Sequence, residues 1–194
     1  MNRKIIQLLC ASLILLVFHP FSLAAQRYLL QPGGQSRIKV TALRSFSTVN
    51  TLKSGSIDTR TGKIQCKITV KDFDFGPRRV FQAVTTVDHL LRHYLECEKY
   101  PEVVYEARLV DPGKISWSQD GNYTALTEGT LTARGIRKQV RIPVNLKVQD
   151  GQLYLDAAFP VKPVEDFRVP AKNPAQLKAF SEVMVYINAV LVKA

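Results

Sequence analysis

Three side chains that commonly bind zinc recur at four-residue spacing near the middle of the chain. His89, His93 and Cys97 would lie along one face of a helix, because residues four apart are stacked on a helix surface. Imidazole and thiolate are good zinc ligands, so the triplet is a candidate metal site. Tyr100-Pro101 ends the helix close to Cys97, however, and the sequence marks no fourth ligand. A surface helix with two ordinary histidines is therefore the favoured interpretation, and we predict no metal.

The residue types needed for catalysis are present, but they do not form a recognisable catalytic motif. Serines, histidines and acidic residues occur without a nucleophile elbow, and no phosphate-binding glycine loop follows a strand-like segment. Glu96 and Glu98 stand beside Lys99, which is more typical of a solvated loop than of an acid/base pair. We therefore predict that the protein is not an enzyme and carries no cofactor.

One stretch, Gly129–Val148, organises the elements around these residues. From position 140 its apolar residues alternate with mainly polar ones, which indicates a strand with one buried and one solvated face. The apolar positions of this strand are Val140, Ile142, Val144, Leu146 and Val148. A second alternating run precedes Gly135, so we predict two antiparallel strands joined by a tight turn.

Similar strands fill most of the remaining chain. Turn signals such as Asp120-Gly121-Asn122 and Asp150-Gly151 separate neighbouring strands, and we count eight to ten strands. Thr86–Glu98 instead repeats its apolar residues at helical spacing, which predicts one short helix. Long sequential strands with a single helix indicate an all-β fold, an antiparallel barrel or sandwich. Closure into a barrel is favoured because it leaves no exposed strand edge.

Five segments carry weaker patterns. Arg44–Asn50 predicts a turn or a short helix, Lys114–Gln119 a strand, Val161–Pro170 an irregular segment and Pro174–Ala179 a short helical turn. The apolar positions shift from even to odd numbers near Lys71-Asp72. Such a shift indicates an extra residue in the strand, a β-bulge.

The first 24 residues have the features of a secretory signal peptide. Arg3 and Lys4 precede an almost wholly apolar run, Ile5–Phe18, and Ser22-Leu23-Ala24 offers small residues to a signal peptidase. We therefore predict a signal peptide at residues 1–24, one β-barrel domain at residues 25–194, and a periplasmic or secreted location. The mature chain of about 170 residues is long enough for one domain with a substantial core.

The chain is basic and contains few cysteines. Its 27 Lys and Arg exceed its 16 Asp and Glu, and the net charge of +11 falls to +9 if Arg3 and Lys4 leave with the signal peptide. The basic residues are scattered, which favours a solvated surface over nucleic-acid binding but is compatible with contact to an anionic membrane or polymer. Cys66 and Cys97 remain in the mature chain, and spacing alone leaves open whether they form a disulfide.

Three blocks of sequence occur in a recognisable order. They are Tyr28–Val40, then His89-Leu90 with Glu98-Lys99-Tyr100-Pro101, then Gly129–Gly135 continuing to Val140–Val144. In this order the blocks resemble the YceI-like family of exported proteins that bind lipids and polyisoprenoids. The resemblance implies a lipocalin-like antiparallel β-barrel with a long apolar tunnel. It also implies a ligand with an isoprenoid chain, of the quinone or polyprenyl type, or another amphiphile.

Such a tunnel would be lined by the apolar faces of the strands and of the helix. We predict a ligand-binding lining that comprises Phe73, Phe75, Leu91, Tyr94, Val103, Tyr105, Leu109, Leu131, Ile142, Val144, Leu146, Leu155, Phe159 and Phe167. His89 and Arg92 would form a portal beside the ligand headgroup, with Tyr94 close to it. The alternative for each of these residues is ordinary core packing without a cavity.

Two functions are compatible with these patterns. The first is an exported, non-catalytic carrier that buries the tail of an amphiphilic lipid, each buried CH₂ contributing about 0.8 kcal/mol. The second is an exported barrel with a solid core that binds acidic polymer or membrane headgroups through its basic exterior. A homodimer is compatible with both functions.

Overall fold

The structure, a computed structural model of the chain, describes residues 27–31, 36–42, 46–74, 93, 95–171 and 174–194. Most of the described residues lie in ten antiparallel strands. These are β1 (Arg27–Leu30), β2 (Arg37–Ala42), β3 (Phe46–Thr51), β4 (Ser54–Asp58), β5 (Lys63–Thr69), β6 (Glu102–Leu109), β7 (Gly121–Ala133), β8 (Ile136–Gln149), β9 (Gln152–Val161) and β10 (Val183–Lys193). The predicted signal peptide and most of the predicted helix Thr86–Glu98 lie outside the described residues.

The sheet closes into a barrel because β10 has neighbours on both edges. β9 pairs with one edge, and the other edge pairs with β1 near Leu30–Leu191 and with β2 near Ile38–Ile187. β4 pairs with β1 and β3 pairs with β2, so β1/β2 and β3/β4 each occupy one position of the ring. The remaining strands follow in the order β5 to β10. The predicted antiparallel barrel is confirmed, with eight strand positions.

Ser36 joins the two interrupted positions to the rest of the barrel. Its hydroxyl lies in the gap between β1 and β2 and accepts a hydrogen bond from the Val190 N–H at 2.9 Å. Its carbonyl accepts a hydrogen bond from the Leu52 N–H at 3.0 Å, in the gap between β3 and β4. Ser36 is 1% exposed, so these hydrogen bonds replace ladder bonds that water could not supply.

The β7–β8 hairpin forms as predicted. Arg134 and Gly135 have φ angles of 48° and 71°, the left-handed pair that a two-residue hairpin turn requires. The inward residues of β8 from Ile142 to Val148 are all buried, and the residues between them are exposed. The alternation in the sequence therefore predicted both the strand and its buried face.

The ladder on the other edge of β8 is incomplete. β7 pairs with β8 along its full length, whereas the described pairing with β9 starts only at Val144–Ala157. Pro143, which has no N–H to donate, stands immediately before that point. Residues 140–143 of β8 and 158–161 of β9 therefore face each other without ladder pairing, and we call this stretch the seam.

Two predictions of local structure were wrong. Part of Arg44–Asn50, predicted as a turn or a short helix, belongs to strand β3. Lys114–Gln119, predicted as a strand, consists of the end of a 3-10 turn, Pro112–Lys114, followed by bends and turns. Short segments of this kind take their conformation from the strands around them more than from their own residue pattern.

The expected bulge is also different from the prediction. At Val70–Asp72 the chain leaves the sheet in a 3-10 turn, and Asp74 then pairs with Val49 of β3. The Val70 N–H donates to the Pro101 carbonyl at 2.8 Å, which ties this turn to the start of β6. The shift in apolar positions therefore marked a real departure from the strand, but a larger one than a single extra residue.

Two short helices lie near the end of the barrel at which β9 finishes. They are α1 (Pro163–Phe167) and α2 (Pro174–Ser181). α1 begins with Pro163, whose fixed φ suits a first helical position, and ends at Arg168 in the left-handed region. The helical turn predicted at Pro174–Ala179 is confirmed by α2, whereas the irregular segment predicted at Val161–Pro170 contains α1.

The opposite half of the barrel interior is solid. Tyr28, Leu146 and Leu153 are at most 1% exposed, so no water-sized space lies beside them. The Tyr28 ring packs against Trp117 with centroids 6.1 Å apart, and its hydroxyl donates to the Trp117 carbonyl at 3.2 Å. The turn segment after Lys114 therefore fills this end of the barrel.

Gly129 of β7 occupies a place where a larger residue does not fit. A Cβ at this position would lie 2.2 Å from the Glu106 carbonyl oxygen and 2.4 Å from the Ala107 Cα. We expect Gly129→Ala to lower the free energy of unfolding by about 2 kcal/mol, because β6 and β7 must move apart. Urea denaturation at equilibrium measures this loss. Gly113→Ala is the control, since a Cβ there meets nothing within 4 Å, and equal losses in both variants would contradict the prediction.

Candidate functional site

The half of the barrel that carries α1 and α2 is hollow. It contains a cavity of about 240 Å³, with walls from β2, β3, β5, β6, β7, β8, β9 and β10. Pro163 and Phe167 of α1 and Phe180 of α2 contribute at the mouth. The cavity and the solid half share one continuous barrel, so the same alternating strands line the first and fill the second.

Seven of the predicted ligand-binding residues line this cavity. They come from six different parts of the chain and are brought together by barrel closure. The seven are Phe73, Val103, Tyr105, Leu131, Ile142, Phe159 and Phe167.

Four other predicted residues face inward but do not reach the cavity. Leu109, Val144, Leu146 and Leu155 belong to the core cluster or pack against it. They lie further along the same strands, in the solid half. Periodicity of two identifies which face of a strand is buried but not how deep along the barrel a residue sits, which is why the prediction did not separate the two groups.

The remaining predicted residues cannot be placed. Phe75, Leu91 and Tyr94, together with the portal residues His89 and Arg92, lie outside the described residues.

The prediction missed several wall residues of the first and last barrel strands. β2 contributes Ile38 and Val40, and β10 contributes Val183, Val185 and Ile187. Barrel closure is the signal that would have added these residues to the predicted lining, because β2 and β10 are neighbours only in a closed barrel.

The polar groups in the cavity wall are already hydrogen-bonded to the barrel. The Thr48 hydroxyl donates to the Asp74 carbonyl at 2.8 Å. The Tyr105 and Thr127 hydroxyls are 2.6 Å apart, and Thr127 in turn donates to the Ile142 carbonyl at 2.9 Å. The inner surface presented to a guest is therefore almost purely hydrocarbon, which suits an alkyl or isoprenoid chain and leaves a polar guest without partners.

Burial raises the pKa of two wall groups, Tyr105 and Cys66, which keeps both neutral at neutral pH. Loss of solvation raises the pKa of the Tyr105 phenol, and the hydrogen bond with Thr127 opposes this only in part. Loss of solvation also raises the pKa of the Cys66 thiol from 9.0 to about 11. Cys66 is partly buried and lines the cavity, and the space it faces is lined with apolar groups. A thiol in this state is a poor nucleophile at neutral pH.

Arg134 is the charged residue among the described lining residues, and it stands at the mouth. Its guanidinium donates to the carbonyls of Phe167, at 3.0 Å, and of Arg168, and it forms an ion pair with Glu96. Its Nε–H is buried without a hydrogen-bond partner. Arg134 thereby connects the β7–β8 turn to the end of α1 and to the loop before β6.

A second ion pair holds α1 against β8. Lys138 Nζ lies 2.6 Å from Asp166 Oδ1. Together with Arg134 it places α1 beside the seam, where β8 and β9 have no ladder pairing. The mouth is therefore assembled from side-chain contacts rather than from sheet hydrogen bonds.

The two candidate zinc ligands that the structure describes do not share an environment. His93 is exposed and Cys97 is 2% exposed, while His89 lies outside the described residues. Within the described ranges no three His, Cys, Asp or Glu side chains are grouped as metal ligands would be. Cys66 and Cys97 are both free thiols.

Among the described residues, no helix has both the length and the apolar character that a membrane crossing requires.

Loss of the Arg134 contacts should weaken the mouth. We expect Arg134→Met to lower the free energy of unfolding by about 2 kcal/mol, because two carbonyls lose a charged donor and Glu96 loses its partner. Hydrogen exchange should accelerate in α1 more than in β8. Arg137→Met, at an exposed position of the same hairpin, is the control. Unchanged exchange in α1 of the Arg134 variant would refute the proposed connection.

The Cys66 thiol should ionise at a higher pH in the folded protein than in the unfolded chain. In the native protein, alkylation of Cys66 by iodoacetamide should reach half its maximal rate near pH 11, against about pH 9 after unfolding in urea. Because the unfolded thiol ionises first, this group favours folding below pH 9, and its contribution is lost as the pH rises through 11. Peptide mass spectrometry distinguishes Cys66 from Cys97. A native midpoint near pH 9 would show that the thiol is solvated.

Comparison with protein families and solved structures finds several proteins similar to this chain. The YceI-like domain, as a family model, matches residues 28–191. A polyisoprenoid-binding domain from Saccharophagus degradans, implicated in plant cell wall breakdown, has a similar fold: the TM-score is 0.63 at 11% identity, over 87% of this chain and 98% of that one. BcnA of Burkholderia cenocepacia gives a TM-score of 0.59 at 14% identity, over 83% of this chain and 98% of that one.

A mutant of the Campylobacter jejuni YceI protein with a monobromobimane guest is also similar. It gives a TM-score of 0.51 at 15% identity, over 80% of this chain and 84% of that one. No curated protein sequence matches the chain. The family match extends from β1 into β10, and the neighbours have the same closed barrel. The chain therefore belongs to the YceI-like domain family.

Proposed function

We propose that this protein is an exported, non-catalytic carrier that holds the tail of an amphiphilic lipid inside its barrel. The observation that supports this most is the cavity wall, which is apolar and has its hydroxyl groups bonded to the barrel itself. A tail in this space gains about 0.8 kcal/mol for each CH₂ removed from water, without any specific polar contact. The neutral Tyr105 and Cys66 offer no charged or nucleophilic group to a bound molecule at neutral pH.

An isoprenoid chain, of the quinone or polyprenyl type, is the tail that we propose. The Saccharophagus degradans domain with the same fold is described as polyisoprenoid-binding, which supports an isoprenoid guest here. The headgroup of such a lipid is polar and would stay at the mouth, where Arg134, Glu96 and Tyr100 are found. His89 and Arg92 remain proposed portal residues.

The alternative, a barrel with a solid core that acts through its basic exterior, is less well supported. It needs an interior filled with side chains, and the cavity of about 240 Å³ favours the carrier. Export, with a periplasmic or secreted location, is part of the proposal and rests on the sequence of residues 1–24. Contact with a membrane surface would serve to load and unload the lipid, and a homodimer is compatible with this role.

Two substitutions on adjacent residues of β10 test the proposal. Val185 lines the cavity, whereas Tyr186 points outward and is 40% exposed. We expect Val185→Asp to weaken binding of farnesol more than tenfold, because a short carboxylate cannot leave the apolar wall. Tyr186→Asp should bind farnesol like the parent protein. Isothermal titration calorimetry measures both, and circular dichroism confirms that both variants are folded.

The same titration separates the carrier from the surface-binding alternative. Binding by tail burial should change little between low and high salt, whereas binding to a basic exterior should weaken steeply. A folded Val185→Asp variant that binds farnesol as tightly as the parent would exclude the cavity as the site. Native mass spectrometry of freshly purified protein, followed by organic extraction, identifies the natural lipid.

A further inference from the structure

We propose that the solid half of the barrel acts as a ruler, which limits the buried part of the guest to about ten carbon atoms, or two isoprene units. The inference rests on the proposed function and adds a specificity to it. A longer chain would be held by its end, with the rest at or beyond the mouth. The residues that set the limit are those that follow the cavity wall on the inner faces of the same strands.

The volume of the cavity gives the first estimate. An apolar cavity of about 150 Å³ in a protein core holds one benzene molecule, which has six carbons. By that measure the 240 Å³ found here holds about ten carbons. An isoprenoid of quinone or polyprenyl length contains several times more.

The depth of the cavity gives a second, independent estimate. On β10 the wall extends from Val183 to Ile187. Four residues advance about 13 Å along a strand, which is about 10 Å along the axis of a barrel with tilted strands. One leaflet of a bilayer has a hydrocarbon depth of about 15 Å, half of the full core. The part of the cavity that is walled by strands is therefore shallower than the layer that a membrane lipid tail normally spans, and α1 and α2 extend the wall beyond it at the mouth.

The floor of the cavity is closely packed. Ala107 follows Tyr105 on β6, Val144 follows Ile142 on β8 and Ala189 follows Ile187 on β10. These three floor residues are 5% to 8% exposed. The next residues inward, Leu109, Leu146 and Leu191, are 1% to 3% exposed. The small floor residues do not leave a channel, because the leucines behind them close the space.

A series of straight-chain alcohols from butanol to tetradecanol tests the ruler on the mature protein. Each added CH₂ that enters the cavity should lower the dissociation constant about fourfold. Beyond about ten carbons the added groups stay in water, and the dissociation constant should become nearly constant. Isothermal titration calorimetry gives the dissociation constant for each alcohol, and the length at which the slope changes is the readout.

We call the chain length at which the slope changes the break. Substitutions should move the break in a defined direction. Val185→Phe fills part of the cavity and should bring the break to a shorter alcohol by about four carbons, the net heavy-atom gain of the side chain. Val192→Phe makes the same change on an outward position of β10, beside Leu29, and should leave the break where it is. Leu146→Ala removes packing behind the floor and should lengthen the accepted chain, whereas Leu153→Ala, in the solid half, serves as its control for lost stability.

The outcomes distinguish the two proposals. A break near ten carbons that Val185→Phe shortens and Val192→Phe does not supports the ruler. Affinity that rises steadily to tetradecanol, or a break that Val185→Phe leaves unchanged, overturns the ruler while the carrier function stands. Absence of binding for every alcohol and for farnesol overturns the carrier function itself.

Discussion

The closed barrel depends on one edge of β10, which is shared by two short strands in succession. A single long strand would satisfy that edge by its ladder alone, but β1 and β2 leave a gap between Leu30 and Arg37. The buried hydroxyl of Ser36 accepts the Val190 N–H in this gap, and the Ser36 carbonyl accepts the Leu52 N–H in the matching gap between β3 and β4. An unpaired N–H at this depth would cost free energy comparable to a lost hydrogen bond. One small polar residue therefore keeps two interrupted strands in register with the rest of the barrel.

The division of the interior into a solid half and a hollow half has a simple origin in side-chain size. Both halves use the same alternation of apolar residues, so hydrophobicity alone does not separate them. In the solid half large groups meet across the barrel, among them Tyr28, Trp117 and Leu153. In the hollow half the β10 wall consists of Val183, Val185 and Ile187, which are smaller than the rings of Tyr28 and Trp117. The wall hydroxyls of Thr48 and Tyr105 are satisfied by the barrel and do not attract ordered water, whereas the unpaired Nε–H of Arg134 at the mouth can still bind one.

Much of the fold could be read from the sequence because the long strands carry regular patterns. The alternation of β8 and the Arg134-Gly135 turn fix a hairpin from local residues only. Residues 46–51 and the segment after Lys114 carry no such pattern, and their conformations depend on Asp74 and Tyr28, which are distant in sequence. The site was predicted to the same extent. The proposed lining residues on β6, β8 and β9 lie on inward faces, but the depth of Leu109 and Leu146 in the barrel depends on registers that only closure defines.

The seam between β8 and β9 is a weak line in the barrel wall. Most other neighbouring strands of the described ring are joined by backbone ladders, whereas the outer edge of β3 is paired, among the described residues, through the single Val49–Asp74 bridge. At the seam, α1 is held by the Arg134 guanidinium and by the Lys138–Asp166 pair, whose lysine is 47% exposed. Side-chain contacts of this kind can open one at a time, whereas a ladder must break several hydrogen bonds together, so we expect local opening of the barrel along the seam. A sideways exchange of contents with the surroundings thus requires less disruption along this line than unzipping a fully paired hairpin such as β7–β8.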